Sequence, residues 1–343
     1  MDDNSPKILI IRLSSIGDVL LTTPFIRQTR IKFPTARIDF AVKKEFEDLI
    51  RYNPHINDVY TFDKYNKNKE LKSLQKQFKA VDYNYIFDLH NNFRSKFLLK
   101  AGTNAQKAHI RKDKLKRALL VYTKINLYSE VKPIPLRYLD VGKIAEIEND
   151  FQGLEIFWKN EIEEKVDRIL KEKGVAGDSV VIAPGAGFFT KQWPMEYFKE
   201  LTGLFVEKRD ENIIILGGKN EIGRFDSLEI SEKVINLTGK LSLLESAAVL
   251  SRSRAVVSND SGLMHMASAV KTPVVAIFGS TVKELGFFPY RSNSIIIENR
   301  NLKCRPCSHI GRKKCPRGHF KCMRDIKPEL VFKNVQSVLT GKL

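Results

Sequence analysis

"KILIIRLSSIGDVLLTTP", residues 7–24, runs an apolar stretch from Ile8 to Ile11 into a turn of small polar residues. A short apolar run stopped this abruptly reads as a strand buried on both faces. Val19, Leu20 and Leu21 then resume the apolar pattern as a helix. Strand, small-residue turn and helix together make a phosphate-binding device in many α/β proteins. This turn has a single glycine, Gly17, and it carries Asp18, whose charge would repel a phosphate. The carboxylate therefore asks for a different task.

Working outward, the same strand-like signal recurs at 37–42, 58–62 and 85–90, and again at 179–185, 212–218, 234–239, 255–260 and 273–279. Amphipathic stretches such as "PMEYFKELTGLFVEK" and "LLESAAVLSRS" lie between them. Strands alternating with helices imply parallel sheets covered on both faces. The two sets predict two Rossmann-like domains, with the charged helical stretch 160–178 opening the second. A (β/α)8 barrel would need evenly repeated units, which the long basic interruption at 91–138 does not provide.

The 343 residues include 58 Lys and Arg against 40 Asp and Glu, a formal charge of +18, so an anionic partner is expected. A hydrophobic fraction of 43% supports real cores and argues against disorder. The opening "MDDNSPK" is acidic and polar, unlike a secretory leader, and no apolar run is long enough to span a bilayer. The expected location is cytoplasmic, with contact to a membrane from that side. A nucleic-acid module would interleave aromatics with its basic run. Between 94 and 117 only Phe97 does so, and no nucleic-acid partner is expected.

Two turns in the second half suit phosphate. "APGAGFFTKQWP", 183–194, follows a strand and offers Gly185, Gly187 and then Lys191. Thr190 stands where a dinucleotide fingerprint would carry its third glycine, which weakens a nicotinamide reading. "SNDSGLMHMASAVKTP", 258–273, opens a helix at Asp260, Ser261 and Gly262, where unpaired N–H groups favour an anion. Asp260 either caps that helix or meets a sugar hydroxyl, and His265 is either a ligand contact or an ordinary helix histidine.

Taken together, "SSIGDVLLTTP", "PGAGFFTKQWP" and "SNDSGLMHMASAVKTPVVAIFGST" resemble the signature stretches of the ADP-heptose:lipopolysaccharide heptosyltransferases, glycosyltransferase family 9. The resemblance implies a GT-B fold, two Rossmann-like α/β domains facing a central cleft. It implies an acceptor domain over 1–160, a nucleotide-sugar domain over 161–327, and a last helix, 328–343, crossing back to the first. Asp18 becomes the general base that deprotonates the acceptor hydroxyl for in-line, inverting displacement of ADP. A lone carboxylate suits inversion, since a retaining route needs a second one as nucleophile.

By the same carry-over, Gly187, Thr190 and Lys191 would hold the leaving diphosphate, with helix-end donors at Ser261, Gly262 and Leu263. Asp260 and His265 would lie near sugar or diphosphate, Glu221 near ribose and Leu241 near adenine. No cofactor is then required for catalysis. "DLHNNFRS", 88–95, resembles the family's D-L-x-x-x-x-R-S stretch, which assigns Asn91 and Arg94 to the acceptor beside Ser15 and Gly17. The basic run beyond it is either a solvated helix face or a cradle for the anionic groups of the lipopolysaccharide core. The implied partners are ADP-heptose, a lipopolysaccharide core acceptor and the inner membrane's cytoplasmic face. A protein or another glycan is the alternative acceptor.

All four cysteines, Cys304, Cys307, Cys315 and Cys322, follow the spacing C-x2-C-x7-C-x6-C. In a reducing compartment such a group either holds a structural zinc or iron or is a loop without metal.

Overall fold

The computed structural model describes residues 5–63, 67–175 and 177–341. Eleven strands form among them: β1 Lys7–Ile11, β2 Arg37–Lys43, β3 Asp58–Phe62, β4 Tyr85–Asp88, β5 Gln106–His109, β6 Ser179–Ala183, β7 Asn212–Ile215, β8 Val234–Asn236, β9 Ala255–Asn259, β10 Val274–Phe278 and β11 Ser294–Glu298. Every pairing is parallel, in a five-stranded sheet ordered β3-β2-β1-β4-β5 and a six-stranded sheet ordered β11-β10-β9-β6-β7-β8.

The central strands are the ones with continuous apolar runs, because helices on both sheet faces leave no room for alternation. All five residues of β6, β9 and β10 are buried, as are Ile8 to Ile11 of β1. The edge strands β5 and β11 were not among the predicted runs. β5 is the polar "QKAH" with three of four residues exposed, so its sequence shows no strand signal. β11, "SIIIE", does carry an apolar run, and only one of its residues is buried.

The chain forms two compact units. The first is the chain up to Lys112 with Pro133–Phe157, and the second is Asp113–Lys132 with everything from Trp158. Asp113–Lys132 thus packs with the second unit, although the sequence reading placed it in the first domain. The first unit buries Leu9, Ile11, Phe78 and Leu98 in one cluster. The second buries Trp193, Phe198 and Phe205 with Met323, Val331 and Phe332.

The closing helix, Pro328–Leu339, buries Val331, Phe332 and Val335 in this second core. Its Phe332 meets Phe205 of helix Met195–Lys208 edge to face at 5.0 Å. Just before it, the Ile326 carbonyl accepts a hydrogen bond from Trp193 Nε1 at 2.9 Å.

Candidate active site

In each sheet the chain reverses direction of travel between two neighbouring strands, and ligands of open parallel sheets bind beyond the strand C-termini at that point. In the first sheet the reversal falls between β1 and β4, and in the second between β6 and β9. Asp18 follows β1 and the "HNNFRS" loop follows β4, while Lys191 follows β6 and Asp260 follows β9. The chemistry-bearing residues therefore fall where the topology makes a crevice.

In the first unit, Asp18 sits in the short helix Ile16–Leu20 and is locked from three sides. Arg12 Nη2 pairs with Oδ1 at 2.5 Å, and the Ser15 N–H and hydroxyl donate to Oδ2 at 3.2 and 2.9 Å. Burial pushes the Asp18 carboxyl up, but the Arg12 charge and the two Ser15 hydrogen bonds outweigh it and hold the group below its ordinary 3.8. The carboxylate is thus ionised across the neutral range, with its side chain one-fifth exposed at 20%. Asp18 also serves the helix N-terminus, its carboxylate accepting from the Ser15 N–H in a capping box.

Arg12 was not singled out by the sequence reading, although a charged residue directly after a buried strand is a signal. Its Nη1 donates to the Leu89 carbonyl at 2.6 Å and its Nε to the Ser14 carbonyl at 2.9 Å, which ties the β1 loop to the β4 loop. The buried Tyr138 ring lies 5.7 Å from its guanidinium carbon.

The β4 loop sorts its residues into scaffold and free groups. Buried Asp88 accepts from the N–H groups of His90 and Asn91 and from the Ser95 hydroxyl, at 2.9, 2.7 and 2.8 Å. Asn91, expected at the acceptor, spends its Nδ2 on the Ile110 carbonyl at 2.8 Å and is a loop brace. Arg94 is half-exposed with no hydrogen-bond or ion-pair partner among the described residues. His90 was overlooked: its Nδ1 is buried without a partner, and burial and then the Arg12 charge push its pKa down to about 3. A neutral imidazole thus stands beside the Arg12–Asp18 pair.

In the second unit, Lys191 Nζ reaches Asp260 Oδ2 at 2.7 Å, with side chains 16% and 5% exposed. The Thr281 hydroxyl donates to the same oxygen at 2.6 Å. Asp260 is therefore no cap for the following helix, Gly262–Ala269, whose N-cap position is Ser261. Ser261, Gly262 and Leu263 remain half-buried at that end, and His265 is buried on the inner side at 3% exposure. A sugar or diphosphate contact for His265 is not supported by that burial.

Thr190 also has a place in the scaffold. Its hydroxyl accepts from the Arg312 N–H at 2.8 Å and its N–H donates to the Arg312 carbonyl at 3.1 Å, so it stitches the loop to the cysteine segment. Glu221 comes to the glycine turn: its Oε2 accepts from the Gly218 N–H at 2.9 Å. A Cβ on Gly185 would stand 2.3 Å from Glu221 Oε1, whereas one on Gly187 would meet nothing within 4 Å. Leu241 is half-buried just before helix Leu243–Arg252, which Ser242 and Glu245 cap reciprocally at 3.2 and 2.7 Å.

Cys322 lies in the apolar core, and burial pushes its thiol up to about 12. Burial raises Cys307 as well, and Cys304 Sγ stands 3.9 Å from His319 Nε2. Among the described residues no group of three or more His, Cys, Asp and Glu side chains is placed to hold an ion. The structural zinc or iron expected as one reading of these residues is not supported.

Residues 71–316 match the family described as glycosyltransferase family 9 (heptosyltransferase). The chain is 27% identical over 343 residues to lipooligosaccharide heptosyltransferase 2 of Campylobacter jejuni, covering 97% of this chain and 98% of that one. It is 24% identical over 351 residues to lipopolysaccharide heptosyltransferase 2 of Escherichia coli, covering 97% and 98%. Among solved structures it is similar to E. coli ADP-heptose lps heptosyltransferase II, with a TM-score of 0.75, 18% identity and 98% and 99% coverage. It is also similar to E. coli heptosyltransferase WaaC with ADP, with a TM-score of 0.70, 20% identity and 97% and 99% coverage. These structures share its GT-B-like α/β fold with two parallel sheets. With most of its length inside the matched region, the chain belongs to glycosyltransferase family 9, the heptosyltransferases.

Proposed function

We propose that the protein transfers heptose from ADP-heptose to the inner core of lipopolysaccharide at the cytoplasmic face of the inner membrane, with inversion at the anomeric carbon. The observation that carries this reading is the division of charge. The first unit presents one ionised carboxylate, Asp18, at its topological crevice, and the second presents a lysine, Lys191, at its own. A carboxylate kept ionised can take the acceptor hydroxyl's proton as the nucleophile attacks. Ser15 and Arg12 aim it, and Gly17 is buried inside the short helix that carries it. Arg94, unpaired in the first turn of helix Phe93–Leu99, suits an anionic group of the acceptor.

On the donor side, Lys191 and the N–H groups at Ser261, Gly262 and Leu263 supply the positive charge that a leaving diphosphate develops a need for. Lys191 is held by Asp260 in the free protein, so donor binding exchanges one carboxylate partner for the diphosphate. Asp260 is then released toward the sugar hydroxyls. Glu221, seated over Gly185, suits the ribose hydroxyls, and Leu241 suits the adenine face. The names of the relatives, heptosyltransferases of lipooligosaccharide and lipopolysaccharide, support this choice of substrate.

The test is ADP release from ADP-heptose, with and without Kdo-lipid A or a heptosylated core acceptor, with Asp18→Ala beside the wild type. Acceptor-dependent turnover that collapses in the variant supports both substrate and base. Donor binding without turnover on either acceptor rejects the lipid acceptor in favour of a protein or another glycan. Failure to bind any ADP-sugar rejects the donor assignment.

A further inference from the structure

Two stretches of the second unit contain no acidic residue at all: 114–129, and 299–324, which holds nine lysines and arginines. They are far apart in sequence, and the fold brings them together. Lys124 Nζ donates to the Pro306 carbonyl at 2.6 Å, and His309 lies within reach of the Arg117 charge. Arg305 fixes the second stretch to the end of β10, donating to the Gly279 and Thr281 carbonyls at 2.5 and 2.8 Å and pairing with Glu298 at 2.8 Å.

This cationic surface is also apolar in an unusual place. Helix Lys114–Tyr122 turns Leu120 and Val121 inward, yet Leu115 and Tyr122 are 72% and 77% exposed. Seven residues apart, these two share one face of the helix. Ile125, Leu127 and Ile310 are each about half exposed. Lys114, Lys116, Lys313 and Lys314 are exposed, with no ion-pair partner among the described residues. Unpaired cations beside outward-facing Leu, Ile and Tyr are the composition of a helix that lies in a lipid–water interface. Nucleic acid would call for a series of stacking aromatics, and among the described residues of these stretches only Tyr122 is exposed, with Tyr128 half-buried.

We propose that helix Lys114–Tyr122, the segment 123–127 after it and the loop 310–317 form one docking surface for an anionic lipid bilayer. Leu115, Tyr122 and Ile125 enter the headgroup boundary while the lysines meet lipid phosphates. None of the described helices is long and apolar enough to cross a membrane, so this contact is peripheral. The choice of lipid over other polyanions rests on the function proposed above. The surface contains neither Asp18, Lys191 and the helix end at Ser261 nor Asn91 and Arg94.

The test is co-sedimentation of the full chain with vesicles of phosphatidylcholine alone or mixed with phosphatidylglycerol. The protein is expected to pellet with the anionic vesicles only, and less so as salt rises. Lys313→Ala with Lys314→Ala should lower partitioning about 25-fold, at about fivefold for each cation lost. Leu115→Ser with Tyr122→Ser should lower it about tenfold with the charge unchanged. Thermal melting and ADP binding should stay at wild-type values in both pairs. No binding to anionic vesicles, equal binding to both compositions, or unaltered binding in either pair would overturn the proposal. So would full displacement by RNA that is insensitive to the Leu115/Tyr122 pair. Vesicle binding needs no acceptor, so it reads out independently of whether ADP-heptose is turned over.

Discussion

Replacing Arg12 by Met separates a proton acceptor from a structural carboxylate. In the wild type the Arg12 guanidinium, 2.5 Å from Asp18, keeps that carboxyl below 3.8 against the opposing push of burial. The acid limb set by Asp18 in a pH–rate profile should therefore lie below the range in which the enzyme is assayed. Removing a neighbouring Arg relieves a carboxylate of an attraction that typically depresses its pKa by about one to three units. Burial is then unopposed by charge, and the acid limb should move up by about that much, equivalent to roughly 1.4–4 kcal/mol. The same substitution removes the hydrogen bonds to Leu89 and Ser14 and strands a mostly buried carboxylate, at a stability cost of about 3–5 kcal/mol. Single-turnover rates, corrected for folded fraction, should be followed against pH in the wild type, Arg12→Met and Asp18→Asn. The expected pattern is a raised limb in Arg12→Met and a loss of about 10²–10⁴ in rate for Asp18→Asn. An unshifted limb in Arg12→Met, or near-wild-type turnover in Asp18→Asn, would refute Asp18 as the base.

Other outcomes test the scaffold around it. Gly185→Ala should displace Glu221 and weaken ADP binding by calorimetry, because the new Cβ stands 2.3 Å from Oε1, whereas Gly187→Ala meets no atom within 4 Å and should bind ADP as the wild type does. Thr190→Val leaves the Arg312 N–H without its acceptor, so the melting midpoint should fall by the equivalent of about 1–3 kcal/mol with little change in donor KM beyond that. His90 links stability to pH with a definite sign. Its folded pKa of about 3 lies below the ordinary 6.5, so the unfolded chain binds the extra proton in between. Its contribution is present above 6.5 and is lost as pH falls toward 3, by at most about 1.4 kcal/mol per pH unit. His90→Gln should flatten that slope in denaturant titrations at a series of pH values, and an unchanged slope would refute the burial argument.

The fold was legible wherever a strand is covered on both faces. β1, β6, β9 and β10 declare themselves as unbroken apolar runs because nothing on them faces water. The polar edge strand β5 is defined only by pairing with β4, which no local pattern encodes. The turns bearing Asp18, Lys191 and Asp260 were also legible, since small residues after a buried strand leave backbone open to a ligand. Which of their side chains are free was not. Thr190, Asn91 and His265 are chemically suited to bind, and only tertiary packing commits the first two to backbone groups and buries the third. Arg12 lies six residues from Asp18, yet its grip on that carboxylate depends on the β4 loop reaching across to hold the guanidinium. Residues 114–129 and 299–324 each display their charge in the sequence, and only tertiary contacts such as that between Lys124 and Pro306 make them one surface. Sequence determines what each segment is able to bury or ionise, but long-range contacts decide which polar groups are consumed in holding the fold and which remain for chemistry.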